Sequence, residues 1–236
     1  PCRSPRRRRP GCQIAALVCA SSLLVPLAGA SPEPSNPLVR HFPDSLYLGS
    51  PIVRDIAMTE EGHLIASNTD LLEFDGENWF HHQLPGGAPV NSITLGTDGL
   101  IYVAGEDEMG FYKPTKAGGM EYQSLVPQLP KNVQAGSVHT VTFWEGGAIF
   151  VSPTTVFRYR SDTGKLDVES YTDITPARVF CGTDSSLLLM TDGSLNVLKS
   201  SITTPIPGIK LPALVAIGAL EGDSKLLICA EQGAFI

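Results

Sequence analysis

The chain has 236 residues, 17 Lys and Arg against 24 Asp and Glu, and a formal net charge of −7. Such an acid excess repels phosphate backbones and anionic lipid surfaces, which argues against nucleic-acid binding by this segment. From about Val39 onward the composition is ordinary for a globular domain, and roughly two hundred residues can bury a large core without disulfide or metal staples.

The first segments in chain order are not fold. Arg3 and Arg6 to Arg9 make a basic region, Ile14 to Leu27 an apolar stretch, and Ala28-Gly29-Ala30 a small-residue site ahead of Ser31. That order predicts a signal peptide over residues 1–30, cleaved before Ser31. An uncleaved anchor is the alternative, but Pro26 and the small residues favour cleavage. Taking the five leader arginines from the 17 basic residues leaves 12 against 24 acidic ones, a net charge of −12. Cys2, Cys12 and Cys19 leave with the leader. Export makes a bridge between Cys181 and Cys229 chemically possible, while their settings, VFCG and LLICA, also suit small buried thiols. Residues 31–38, opening SPEPSNP, read as a Pro-rich linker.

Residues 39–236 repeat one pattern. GHLIASNTDLLEFDG at Gly62 is followed by GLIYVAGEDEMGFYKP at Gly99 and GGAIFVSPTTVFRYRSD at Gly146. SSLLLMTDGSLNVLKS at Ser185 and DSKLLICAEQGAFI at Asp223 continue it. Leu64, Ile101, Ile149, Leu187 and Leu226 mark the repeat, with steps of 37, 48, 38 and 39 residues. A period near forty, with several short strands per unit, predicts an all-β fold, a β-propeller of four-stranded antiparallel blades. Each unit reads as an alternating first strand (Ile52 to Ile56, Val90 to Ile93, Val138 to Val141), then a strand apolar on both faces because neighbouring blades sandwich it. A third strand follows a polar turn, and a fourth carries Trp79 or Tyr122. No window holds a useful helical stripe. The longest step matches extra residues at Gly118-Gly119 and Pro127 to Ala135, read as an elaborated loop. About five blades are visible, expected to be part of a seven-bladed ring incomplete at the C-terminus, since the chain stops within the apolar run AEQGAFI.

Three stretches carry a family resemblance: Leu71-Leu72-Glu73-Phe74-Asp75-Gly76 with Trp79; Asn91-Ser92-Ile93 with Asp98-Gly99-Leu100-Ile101-Tyr102-Val103; and Glu108-Met109-Gly110-Phe111. They resemble the blade motifs of the two-component regulator propeller family, although Ala104 stands where that family often has Gly. The resemblance implies an exported sensor at the periplasmic face of the inner membrane, followed by C-terminal signalling domains, most often a histidine kinase. It implies an extracellular small molecule or oligosaccharide as ligand, and a homodimer of the full-length protein as a further possibility.

Chemistry beyond this is sparse. His41, His63, His81, His82 and His139 form no ligand set with Cys or carboxylates, and His81 and His82 alternate faces on a strand. Glu106-Asp107-Glu108 lacks the order of a calcium loop and reads as a hairpin rim. Ser161 to Lys165 reads as a hairpin turn, since no glycine-rich loop or following helix makes it a phosphate site. No catalytic residue, metal or cofactor is expected. For a sugar ligand the aromatic and planar polar groups are Tyr112, Tyr122, Trp144, Arg158 and Arg178. The expected site is Arg158 and Arg178 at the central funnel, with Tyr122 and Trp144; the alternative for the arginines is ion pairing between blades. Two functions stand: an exported ligand sensor, and a secreted propeller enzyme acting on glycans, a lyase or glycosidase.

Overall fold

The computed structural model describes residues 41–115, 119–144, 146–181, 186–198, 203–211, 214–219, 226–230 and 233–235. The expected leader and linker lie outside these residues, as do the side chains of Cys181 and Cys229.

Among the described residues nineteen strands form five antiparallel meanders. Sheet one is β1 (Asp55–Met58), β2 (Leu64–Ser67), β3 (Leu71–Phe74) and β4 (Trp79–His82). Sheet two is β5 (Val90–Leu95), β6 (Ile101–Gly105), β7 (Met109–Thr115) and β8 (Gly119–Ser124). Sheet three is β9 (Thr140–Trp144), β10 (Gly147–Val151), β11 (Thr155–Arg160) and β12 (Lys165–Ser170). Sheet four is β13 (Pro176–Cys181), β14 (Ser186–Met190), β15 (Ser194–Leu198) and β16 (Thr203–Lys210). Sheet five contributes β17 (Leu214–Ala219), β18 (Leu226–Ala230) and β19 (Gly233–Phe235). The first strand of each sheet packs on the first strand of the next, from β1 through β5, β9 and β13 to β17. Those strands are therefore innermost, and the sheets radiate from them as propeller blades.

Residues paired across antiparallel strands share a face, so register assigns each side chain to a seam. Between sheets one and two lie Ile65, Leu71, Val90, Ile93, Ile101, Val103 and Tyr112. Between two and three lie Tyr102, Met109, Phe111, Phe150, Phe157 and Tyr159, an aromatic-rich seam. Trp144, Ile149, Val151 and Val156 meet Val179, Leu188, Met190 and Leu198 between three and four. The second strands β6, β10 and β14 are buried at every position, because both of their faces are seams.

Side chains also stitch the innermost strands together. Asp55 Oδ2 accepts hydrogen bonds from the Ser92 hydroxyl and the Ile93 N–H, each at 3.0 Å. Ser92 Oγ in turn accepts from the Val141 N–H at 3.3 Å, and Asn91 Nδ2 donates to the Val138 carbonyl at 3.1 Å.

The observed strands differ from the expected ones at two starts. Ile52 to Arg54 precede β1 because Asn68 Nδ2 donates to the carbonyls of Ser50 and Ile52, holding this stretch by a side chain. Val138 precedes β9 because its N–H bonds to Gly105 of the preceding sheet. A short helix not foreseen from the sequence, α1 (Asp44–Tyr47), leads into sheet one. It sets Tyr47 5.7 Å from Trp79, while Phe42 lies 5.0 Å from Phe74 and 5.5 Å from Trp79, ring to ring.

Candidate functional site

The four residues expected to form the site, with Arg158 and Arg178 at the funnel, do not meet in one place. Arg158 is on β11, the third strand of sheet three, with its side chain only 4% exposed. Its position opposite Ile149 turns it towards sheet four. One guanidinium nitrogen, Nη2, donates to Glu169 Oε2 at 2.6 Å and to Thr203 Oγ1 at 2.7 Å. Thr203 donates to the same carboxylate oxygen at 2.7 Å, and the Tyr171 hydroxyl donates to Thr203 at 3.2 Å. Glu169 belongs to β12 of the same sheet and Thr203 to β16 of the next, so Arg158 is ion-paired within its own blade and crosses the seam only to a hydroxyl, whereas the expected alternative set the ion pair between blades. Burial pushes the Glu169 carboxyl up, but hydrogen bonds from Thr203, Arg158 and Tyr171 together outweigh it and leave the group below its ordinary range. Burial pushes the Tyr171 phenol up to about 12.

Trp144 shares that face of sheet three and is buried against Val179, Leu188 and Met190. Tyr122, on β8, faces the seam between sheets one and two, its ring 5.0 Å from that of Tyr112. Its hydroxyl donates to Glu108 Oε1 at 3.0 Å, and the Ser124 hydroxyl donates to the same oxygen at 2.6 Å. Burial and the Glu108 charge hold the Tyr122 phenol far above its usual range. Glu108 is therefore not a rim residue: it turns inward and is 8% exposed, held by two hydroxyls and the Met109 N–H. Arg178 alone of the four lies on an innermost strand, β13, where it is exposed and faces away from sheet three.

The loop expected to be elaborated forms a groove. It joins β8 to β9 through a 3-10 turn at Val126–Gln128 and returns past Gly136, whose φ is 62°. The β6–β7 turn is clamped to it, with Glu106 bridged to Ser137 and the Asp107 N–H donating to the Gly136 carbonyl at 2.8 Å. This clamp holds Asp107 at φ 53°, in the left-handed region that aspartate tolerates better than most residues. Val126, Leu129, Pro130, Val133 and Ala135, with Asp107, Lys131 and Gln134, line an open depression of about 410 Å³. Asp107 and Lys131 are exposed there, and neither has an ion-pair partner among the described residues. Sequence reading marked both the insertion and the acidic turn, but not the clamp that makes them one surface.

A second polar cluster lies on sheet one. Glu73 bridges His63 Nδ1 at 2.7 Å and His82 Nε2 at 2.8 Å, and His81 Nδ1 lies 3.1 Å from Asp70. Among the described residues no group of three His, Cys, Asp or Glu side chains is placed to hold a metal ion.

No protein-family model matches the sequence, and comparison with curated proteins finds no match. Solved structures do match in fold. A virginiamycin B lyase from Staphylococcus aureus aligns with a TM-score of 0.60 at 16% identity, over 81% of this chain and 71% of that one. The extracellular domain of a protein described as a hybrid two-component system from B. thetaiotaomicron aligns with a TM-score of 0.60 at 17% identity, over 77% of this chain and 26% of that one. The WD40 propeller domain of Doa1 aligns with a TM-score of 0.56 at 15% identity, over 76% of this chain and 62% of that one. At such identities the likeness establishes the β-propeller fold, which neighbours of different activities share.

Proposed function

We propose that this β-propeller is an exported ligand-sensing module, the sensor part of a two-component signalling protein of the two-component regulator propeller family, and that its ligand is an extracellular oligosaccharide. The observation that carries the binding reading is the clamped groove between β8 and β9. Its apolar floor is rimmed by one carboxylate, one ammonium and one amide, all on loops, where a propeller varies without disturbing its seams. The signalling context is supported by the blade motifs and by a two-component extracellular domain among the structural neighbours. The motif residues act as blade-building parts: Asp75 Oδ1 accepts the Glu77 and Asn78 N–H groups, and Asp98 Oδ2 accepts the Tyr102 hydroxyl at 2.7 Å.

The reading as a secreted enzyme acting on glycans is favoured by the lyases among the structural neighbours. One experiment addresses both. The protein expressed from its whole gene is titrated calorimetrically with a panel of extracellular oligosaccharides, and the mixtures are then analysed for cleavage products. Saturable binding without turnover, weakened in Asp107→Ala and Lys131→Ala, is the expected result. Product formation would replace the sensor by the enzyme, and absence of binding across the panel would refute the sugar ligand.

A further inference from the structure

The depression between β8 and β9 has a chemistry narrower than that of sugar sites in general. Val126, Leu129, Val133 and Ala135 give it an aliphatic floor, and among the described residues no aromatic ring lines it. A pyranose finds no ring face to stack on there, and its hydroxyls lose water against aliphatic carbon unless a polar partner replaces it. Polar partners are present at Ala135. This residue is 3% exposed, yet neither its main-chain N–H nor its carbonyl makes a hydrogen bond among the described residues. Buried main-chain groups are nearly always paired, so two unpaired ones beside an open depression mark where a ligand's own donor and acceptor can enter. The clamp on the β6–β7 turn sets Asp107 next to them, its main-chain nitrogen 2.8 Å from the carbonyl oxygen of Gly136, the residue after Ala135.

We propose that this groove selects oligosaccharides carrying acetamido groups, an assignment that rests on the sugar-sensing reading above. An acetamido group supplies three things at once: a methyl for the aliphatic floor, a carbonyl to accept from the Ala135 N–H, and an N–H to donate to the Asp107 carboxylate. Other decorations of a sugar lack at least one of them. The methyl of a deoxy sugar brings neither donor nor acceptor, and an O-acetyl ester has no N–H. A free amino group is a cation that suits Asp107 but leaves the floor and the Ala135 N–H unmatched. The Ala135 carbonyl and the exposed Lys131 ammonium then remain for neighbouring hydroxyls, as acceptor and donor.

The test uses trimers of N-acetylglucosamine, glucosamine and glucose with identical linkages, titrated calorimetrically into the protein expressed from its whole gene. The acetylated trimer is expected to bind about tenfold more tightly than the glucose trimer, the discrimination that one methyl in an apolar pocket supports. In Asp107→Ala that preference is expected to fall to about threefold or less, as one hydrogen bond is lost. Ala135→Pro, which deletes the N–H, is expected to do the same, and Asp107→Ala carries the test if that variant fails to fold. Equal affinities, or a glucosamine trimer bound more tightly than the acetylated one, overturn the acetamido assignment and leave the sensor reading standing. Binding of another sugar in the wider panel, with none of the trimers bound, has the same consequence. An acetamido preference untouched by the substitutions overturns this groove as its seat. Absence of binding across the whole panel overturns the sugar-sensing reading and the assignment together.

Discussion

Arg158 allows a sharp test of how the seams are held. Arg158→Ala removes one partner of a buried ion pair and leaves Glu169 with Thr203 and water. Breaking such a pair from one side costs about 3–5 kcal/mol. Glu169 keeps 33% of its side chain exposed, so water can repair part of the loss and the cost falls near the lower end, about 3 kcal/mol. For a domain of this size that lowers the unfolding midpoint by about 6–12 °C. The double variant Arg158→Met/Glu169→Gln removes both charges while keeping their volume, and is expected within about 1 kcal/mol of wild type. Thermal and urea unfolding of the three proteins make the comparison, with oligosaccharide affinity measured alongside and expected unchanged in Arg158→Ala. A midpoint for Arg158→Ala within about 1 °C of wild type, or a double variant falling as far as the single one, would refute this account.

Other expectations follow from single residues. The Glu169 carboxyl is held below its ordinary range in the folded protein, so its contribution to stability is present above the unfolded carboxylate range and is lost as pH falls through the folded value. Wild type should therefore lose more stability between neutral and acid pH than Glu169→Gln, and parallel profiles would contradict this. A Cβ added at Gly110 would lie 2.6 Å from the Tyr122 hydroxyl oxygen and clash with the Gln123 carbonyl; Gly110→Ala is expected to cost about 1–3 kcal/mol in urea unfolding. At Asp107, with φ 53°, Asp107→Val should cost about 1–2 kcal/mol while Asp107→Gly is tolerated, and equal stability of the two would remove the strain argument.

The blades were legible because their signals are local. Leu64, Ile101 and Leu226 each begin the strand they mark, and Ile149 and Leu187 fall inside strands beginning at Gly147 and Ser186. Trp79 opens β4, and Ser161 to Lys165 joins β11 to β12 through a hairpin turn. What stayed hidden depends on partners far away in sequence. Nothing near Arg158 in the chain points to Thr203, and nothing near Asp107 points to Gly136. Arg158 looked like a funnel residue because a charge among apolar strand neighbours needs water or a partner; the carboxylate came from the adjacent strand, Glu169, and a hydroxyl, Thr203, from the next sheet. Glu108 looked like rim because it follows two acidic residues, yet the two hydroxyls that draw it inward arrive from β8. Arg158 and Trp144 share a face, but Arg178 and Tyr122 lie on others, and residue type alone carries no information about that.

The three seams whose side chains are described are not held alike. At the first, the Tyr112 hydroxyl donates to the His82 carbonyl at 3.0 Å, and at the third, Arg158 reaches Thr203. Both pins sit away from the innermost strands. At the middle seam the cross-links named here, Asn91 to Val138 and Ser92 to Val141, lie beside the axis, and the outer strands meet through rings such as Phe111 and Tyr159, 5.4 Å apart. Stacked rings resist separation but set little directional barrier to sliding, whereas a hydrogen bond fixes both distance and angle. Sheets two and three are thus stitched by hydrogen bonds at the spine and meet farther out largely through rings, with the Tyr102 phenol also reaching the Ser161 side chain of sheet three. The β8–β9 connection spans that joint, so a molecule seated between Asp107 and Lys131 would bear directly on the contact between sheets two and three.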